Sequence, residues 1–145
     1  MAEAGAPERR YVIDTNVLAY YALRTAPYCK EVSGLFLQPF ELIAPESWQV
    51  ELLNAISKAI RYRSIDLYDG LELLEDIESL LNWSVPVRSL WREALVFAEE
   101  HNCSTYDTLF VVLAERENSD LLTYDQRMLT AFPEIAKTPG QVMFR

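Results

Sequence analysis

The sequence predicts an α/β domain in which a parallel sheet of about five strands is flanked by helices. The first observation is that short β-forming runs alternate with helical segments along most of the 145 residues, the pattern that crossover connections in parallel sheets produce. The second is that two predicted strands end shortly before an aspartate at which a helix begins, Asp14 and Asp125. Ligands bind beyond the carboxyl ends of strands in such sheets, so both aspartates are placed where chemistry tends to occur.

Length and composition predict one soluble domain, with residues 1–10 as a flexible lead-in and residues 11–145 as the folded part. The net charge of −9 argues against a broad basic surface for nucleic acid, but it is compatible with a site built from carboxylates that bind cations. The two cysteines, Cys29 and Cys103, lack metal-binding spacing and indicate free thiols. No apolar run approaches a membrane span, so we expect a cytoplasmic protein without membrane association.

The first half of the chain contains a strand that leads into Asp14 and a second strand that ends before Pro45. Proline suits the first position of a helix, so Pro45 is expected to begin the third helix. The predicted elements are a strand over 11–13, helices over about 15–24 and 30–38, a strand over 40–44, and helices over about 45–61 and 66–81.

The second half contains the most apolar helix of the chain. Leu109–Ala114 is apolar on every side, which indicates a buried helix. The predicted elements are a strand over 83–87, a helix over 89–101, a helix opening near Ser104, a strand over 120–123, a helix opening near Asp125, and a last strand over 141–144.

Three carboxylates have a structural interpretation beside a catalytic one. Asp14 suits the N-cap of the helix that follows it. Glu51 lies at the edge of the apolar arc of its helix, where it either leans toward a cleft over the sheet or pairs with a base at the surface. Ser104 and Asp107 have the spacing of a capping box. However, Asp107 shares a helix face with core residues, and a buried carboxylate requires a cation or several donors.

Placed above one rim of a single sheet, Asp14, Glu51, Asp107 and Asp125 would form an acidic cluster. Their mutual repulsion favours a positive charge among them. Mg²⁺ or Mn²⁺ fits such oxygen ligands, and no neighbouring His or Cys suggests zinc. A site of this kind can activate a water molecule and stabilise the charge on a phosphodiester as it is cleaved.

Three longer segments occur in an order and spacing that are specific. They are YVIDTNVL, PESWQVELLNAI and STYDTLFVVLAERENSDLLTYDQRML. In these segments the chain resembles the PIN domain family, and in particular the VapC-type toxin ribonucleases of prokaryotic toxin–antitoxin pairs. The resemblance extends from about Tyr11 to Phe144.

The resemblance implies a single three-layer PIN-like domain with Mg²⁺- or Mn²⁺-dependent endoribonuclease activity on RNA, often a homodimer, with an antitoxin protein as partner. The four acidic residues of the family correspond by position to Asp14, Glu51, Asp107 and Asp125. Asp14, Asp107 and Asp125 are expected to hold the metal directly or through water. Glu51 has two expected roles. It either completes the coordination shell of the metal, or it orients or deprotonates the attacking water. The supporting polar residues are Thr15, Asn16, Thr105 and Thr123.

Several cations and tyrosines are further candidates for contact with RNA, although each also suits an ordinary structural role. The candidate cations for the RNA backbone are Arg127, Arg24 and Lys58. The candidate tyrosines for stacking on a base are Tyr20, Tyr21, Tyr106 and Tyr124.

Other functional classes make different demands on the sequence. A haloacid-dehalogenase-like phosphatase also begins with an aspartate after the first strand, but it requires a second aspartate where this chain has Asn16. A PIN-like module that binds RNA or protein without catalysis would show a gap among the four carboxylates, and all four positions are filled. An RNA-processing nuclease outside any toxin–antitoxin pair would have the same site, so the sequence leaves that alternative open.

Overall fold

The protein is described by a computed structural model in which residues 9–144 are placed, and five short strands within this range form one parallel sheet. Along the sheet the spatial order is β3-β2-β1-β4-β5, so the order reverses between β1 and β4. The strands are β1 (Arg9–Ile13), β2 (Phe40–Pro45), β3 (Trp83–Val85), β4 (Asp120–Leu122) and β5 (Ala136–Lys137).

Helices connect and flank these strands, which confirms the predicted α/β fold. Within residues 9–144, no helix is both long enough and apolar enough to cross a membrane. A short 3₁₀ turn covers Val87–Ser89. The helices are α1 (Thr15–Ala22), α2 (Tyr28–Leu35), α3 (Trp48–Arg61), α4 (Leu67–Glu78), α5 (Trp91–His101), α6 (Thr105–Arg116), α7 (Gln126–Ala131) and α8 (Pro139–Met143).

The buried centre of the domain lies between the middle strands and α6. Residues 108–114 of α6 are all buried, as the apolar pattern predicts, and the helix packs against β1, β2 and β4. Helices that connect parallel strands run back along the sheet, so they begin at its carboxyl edge. The N-terminal ends of α1, α3 and α6 therefore lie near the carboxyl ends of β1 and β4, and this arrangement positions the candidate site.

The start of the sheet and the start of α3 differ from the prediction. Arg9 and Arg10, expected in the lead-in, belong to β1 and pair with β2, while residues 1–8 lie outside the described residues. Pro45 does not begin α3 but ends β2, and α3 begins at Trp48. Proline has no N–H for the ladder, so Pro45 cannot donate to β3. The next residue, Glu46, resumes the pairing by donating to the carbonyl of Val85 at 2.8 Å.

The prediction of a last strand over 141–144 is wrong. The chain forms α8 there, and the last strand is the two-residue β5. Pro139 at the first turn and the side chain of Gln141, which accepts from the backbone N–H of Thr138 at 2.7 Å, favour a helix start. These local signals outweigh the apolar character of the segment.

Candidate active site

Asp14 lies at the carboxyl end of β1, beside the point where the strand order reverses. Its backbone N–H donates to the carbonyl of Leu122 at 2.9 Å, which holds the end of β1 against β4. The side chain is only 9% exposed. Although Asp14 is the N-cap residue of α1, its side chain makes no capping hydrogen bond and instead accepts from Thr123 Oγ1 at 2.8 Å. The N-cap interpretation therefore does not account for this carboxylate.

Thr123 and Asn16 form a network around Asp14. While the Thr123 hydroxyl donates to Asp14, its oxygen accepts from Asn16 Nδ2 at 3.3 Å and from the Asp125 backbone N–H at 3.0 Å. Asn16 Oδ1 in turn accepts from the backbone N–H of Tyr124 at 3.3 Å. The start of α1 is thereby fixed to the loop that follows β4.

Glu51 faces Thr15 at the start of the neighbouring helix. It lies in the first turn of α3 and is partly buried, and its Oε1 accepts from Thr15 Oγ1 at 3.1 Å. Thr15 is itself buried directly after Asp14. Glu51 therefore leans toward the site rather than outward to a surface base.

Asp107 lies in the first turn of α6 and is partly buried. Ser104 caps α6 by accepting from the backbone N–H of Tyr106 at 3.1 Å, and within residues 9–144 no return bond from the Asp107 side chain completes a capping box. Thr105 is exposed, and no hydrogen bond in the same range joins its hydroxyl to a carboxylate. The structure thus places Asp107 near the site but gives Thr105 no visible supporting role.

Asp125 is the N-cap of α7 and already has partners. Its carboxylate accepts from the Arg127 backbone N–H at 2.9 Å and from Arg127 Nη2 at 3.2 Å. Burial acts to raise the pKa of Asp125, but the side-chain and backbone hydrogen bonds from Arg127 outweigh it and the pKa is lowered. Asp125 is therefore ionised at neutral pH.

The other three carboxylates are destabilised as anions. Burial raises the pKa of Asp14 to about 7. The hydrogen bond from Thr123 opposes this shift, and the charges of Glu51 and Asp107 add smaller contributions that raise the pKa further. Burial and the charge of Asp107 raise the pKa of Glu51, and burial and the charge of Asp125 raise the pKa of Asp107. The four predicted carboxylates therefore share one electrostatic environment at this edge of the sheet.

The donor chemistry of the site fits a hard divalent cation. Among residues 9–144, no three or more His, Cys, Asp or Glu side chains stand together as a metal-binding group, so the carboxylates interact by charge without converging. Their oxygens are nevertheless the ligands that Mg²⁺ and Mn²⁺ prefer. The raised pKa of the buried Asp14 marks a negative charge that a cation would stabilise.

The three candidate cations lie in different places. Lys58 lines a groove of about 770 Å³ together with Glu51, and Arg127 is bound to Asp125. Arg24, in contrast, follows the C-terminal end of α1 and lines a separate pocket with acidic residues of α4. None of the four candidate carboxylates lines that pocket, so the structure gives no contact between Arg24 and the site within residues 9–144, and its role as an RNA contact stays a prediction.

One contact behind the site had no signal in the sequence. The Tyr124 hydroxyl donates to Glu31 Oε1 at 2.7 Å, and the ring packs against Tyr28 and Tyr20 with centroid distances of 4.6 and 5.8 Å. This contact anchors the loop between Thr123 and Asp125 to α2. Because the two partners are 93 positions apart and belong to no common motif, only the fold brings them together.

A buried aspartate at the reversal point of a parallel sheet, with further carboxylates in electrostatic contact, defines an α/β protein whose site is suited to divalent-cation chemistry. The sequence profile of the PIN domain matches residues 11–137. The chain therefore belongs to the PIN domain family, whose members are generally nucleases. Among curated proteins, none matches the sequence significantly.

Solved structures confirm the fold. A protein from Pyrobaculum aerophilum is similar with a TM-score of 0.70 at 19% identity, covering 95% of this chain and 96% of that one. A chain of VapBC2 from Rickettsia felis, bound to a DNA fragment from its promoter, is similar with a TM-score of 0.62 at 18% identity. The match covers 89% of this chain and 98% of that one. A chain of a toxin–antitoxin complex from Klebsiella pneumoniae has a TM-score of 0.63 at 16% identity, and the match covers 89% of this chain and 97% of that one.

Proposed function

We propose that this protein is a metal-dependent endoribonuclease that hydrolyses RNA phosphodiester bonds, and that it is the toxin of a type II toxin–antitoxin pair. The observation that carries the proposal is the position of Asp14, buried at the end of β1 and held by Thr123, with Glu51 and Asp107 close enough to raise its pKa. Membership of the PIN domain family supports a nuclease.

In this proposal Asp14, Asp107 and Asp125 are the residues that hold Mg²⁺ or Mn²⁺, directly or through water. When bound, the ion supplies an activated water molecule and neutralises charge on the phosphate. Thr123 orients the carboxylate of Asp14 through its 2.8 Å hydrogen bond. Asn16 in turn fixes the hydroxyl of Thr123.

Glu51 serves beside these residues as a further ligand or as the group that orients or deprotonates the water. Thr15 holds it by the 3.1 Å hydrogen bond to Oε1, which sets the direction of the second carboxylate oxygen. Its raised pKa brings the carboxylate closer to neutral pH, where a general base is more effective.

RNA contacts in this proposal come from Lys58 and Arg127. Lys58 is exposed in the groove that Glu51 lines. The Arg127 side chain is 84% exposed beside Asp125, so its guanidinium can also reach a phosphate.

The partners in this proposal are an antitoxin and a second copy of the chain. Similar chains occur in a complex described as toxin–antitoxin and in VapBC2. Two helices also present large apolar side chains that are more than half exposed, and such patches favour protein contacts. They are Leu67, Tyr68 and Leu71 on α4 and Trp91 and Leu95 on α5.

The experiment that tests the proposal is cleavage of a mixed RNA pool by the purified, antitoxin-free protein with Mg²⁺, Mn²⁺ or EDTA. We expect cleavage that requires the metal and disappears in Asp14→Asn. Asp76→Asn, a change of an exposed aspartate on α4, should cleave normally and controls for co-purified ribonuclease and for the effect of lost charge. If the folded protein leaves transfer, ribosomal and messenger RNA intact, the chain is a binding module instead.

A further inference from the structure

A groove of about 770 Å³ runs along the exposed side of α3 and reaches the candidate site at Glu51. One wall is formed by α3, and the opposite side is formed by Tyr106 at the start of α6. The α3 residues in the groove include apolar, polar and basic side chains. They are Val50, Leu53, Asn54, Ser57 and Lys58.

Tyr106 is unusual among the tyrosines near the carboxylates. Tyr20, Tyr28 and Tyr124 pack on one another, whereas Tyr106 has no aromatic ring in contact with it within residues 9–144 and is 60% exposed. It directly precedes Asp107 in the chain. The ring therefore contributes little to the core and presents an open face at the edge of the site.

The other groups in the groove complement a nucleic-acid strand. Lys58 supplies a positive charge for a phosphate, and Asn54 and Ser57 supply hydrogen-bonding groups for a base edge or a ribose hydroxyl. An aromatic face combined with a cation is the arrangement by which proteins bind unpaired nucleotides. The exposed apolar neighbours Val50 and Leu53 would also suit a protein partner, but Lys58 and the continuity with Glu51 favour the substrate.

We propose that Tyr106 stacks on a nucleobase next to the phosphodiester that is cleaved, and that the groove between Tyr106 and α3 binds the adjoining nucleotides of one RNA strand. This inference rests on the proposed nuclease function. Inside a duplex both faces of a base are covered by its neighbours, so a base that stacks on Tyr106 must be unpaired. The substrate is then RNA with an unpaired segment at the cleavage position.

The test measures RNA binding without cleavage. In the Asp14→Asn background with Mg²⁺ present, fluorescence anisotropy gives the dissociation constant for a labelled single-stranded oligoribonucleotide. Tyr106→Ala should weaken binding by about 10- to 100-fold, because one stacked base is lost. Tyr106→Phe keeps the ring and should bind nearly as well as the parent. Phe144→Ala removes another exposed aromatic ring, which follows α8 and does not line the groove, and should have no effect.

A second arm identifies the stacked base. The oligonucleotide is made with a single abasic nucleotide at each position in turn, and each is measured with Tyr106 and with Tyr106→Ala. At the stacked position the two changes should not add, because they remove the same contact. Losses that add at every position would overturn the proposal. So would unchanged RNA binding by Tyr106→Ala together with an altered sedimentation coefficient, since the groove would then be a protein interface.

The stacking proposal and the proposed nuclease function can be contradicted separately. If the wild-type protein cleaves RNA with metal but Tyr106→Ala binds RNA normally, the nuclease stands and the stacking position is wrong. If the wild-type protein neither cleaves nor binds RNA, both proposals fail.

Discussion

The carboxylate of Asp14 combines deep burial with negative neighbours, an arrangement that costs free energy in the folded protein. Within residues 9–144 its side-chain donor is Thr123, which is itself fully buried, and a backbone hydrogen bond from Thr15 makes a smaller contribution that favours the anion. Buried anions are normally stabilised by several donors or by a cation. Residues that serve a site at the expense of stability are common in enzymes. The cost at Asp14 can be measured in the absence of metal, where nothing offsets it.

Metal-free protein should lose stability as the pH rises through the titration of Asp14. The pKa of this group is raised from 3.8 to about 7 in the folded state, so its stabilising contribution is complete below about pH 4 and is lost by about pH 7. The loss amounts to at most about 4 kcal/mol of unfolding free energy. Urea unfolding in EDTA between pH 4.5 and 8 measures this loss. The free energy of unfolding of Asp14→Asn should rise relative to that of the wild type as the pH rises. A difference independent of pH would contradict this expectation.

Thr123→Val should destabilise the protein and impair the site together. It removes the donor to Asp14 and the acceptor for Asn16 Nδ2 while keeping the volume of the side chain. We expect a loss of about 1–3 kcal/mol by urea unfolding at pH 7. The pH at which RNA cleavage is half-maximal should also rise, because Asp14 loses a bond that favours its anion. Thr123→Ser keeps the hydroxyl and should restore both properties.

At the scale of elements, the loop after β4 is held from two sides. Asn16 at the start of α1 accepts from the backbone N–H of Tyr124, and Glu31 on α2 accepts from its hydroxyl. α8 packs closely against Glu31 at Gly140. A Cβ added at Gly140 would lie 2.6 Å from Glu31 Oε2. Since that atom is the end of a flexible side chain, Glu31 would move aside and release Tyr124.

Gly140→Ala should therefore destabilise the protein through the lost Tyr124–Glu31 hydrogen bond. Loss of such a bond to a charged group costs about 1.5–3 kcal/mol. In a Tyr124→Phe background the bond is already absent, so Gly140→Ala should be neutral or slightly stabilising, as alanine is in helices. Urea unfolding of the two single variants and the double variant measures this coupling. Additive losses would show that Gly140 acts through another contact.

For the whole molecule, local patterns in the sequence predict most of the fold and part of the site. In α6 the middle of the helix is apolar on every side, and in β1 a continuous run of β-forming residues leads into Asp14, so these elements and the position of that aspartate follow from the sequence. The strand order does not follow, because pairing between distant segments depends on the packed core. For the same reason the contact of Glu31 with Tyr124 and the side-chain separation of the carboxylates appear only in three dimensions. At α8, a short apolar segment suits either a strand or a helix.

The overall charge predicts how RNA binding depends on salt. With 13 Lys and Arg against 22 Asp and Glu, the protein has no broad basic surface to cover many phosphates. If Lys58 and Arg127 are the main phosphate contacts, log K should fall with log salt with a slope of about −1 to −2, since each contact to a single strand contributes about −0.7.

Lys58→Ala should make the slope of log K against log salt less negative by about 0.7. Arg24→Ala should leave it unchanged, because Arg24 lies in the pocket beside α4. Anisotropy titrations of the Asp14→Asn protein at 50–300 mM KCl and constant Mg²⁺ measure both slopes. A slope steeper than about −4 would mean that several more cations meet the RNA. A second copy or an antitoxin that supplies them would then belong to the RNA-binding surface.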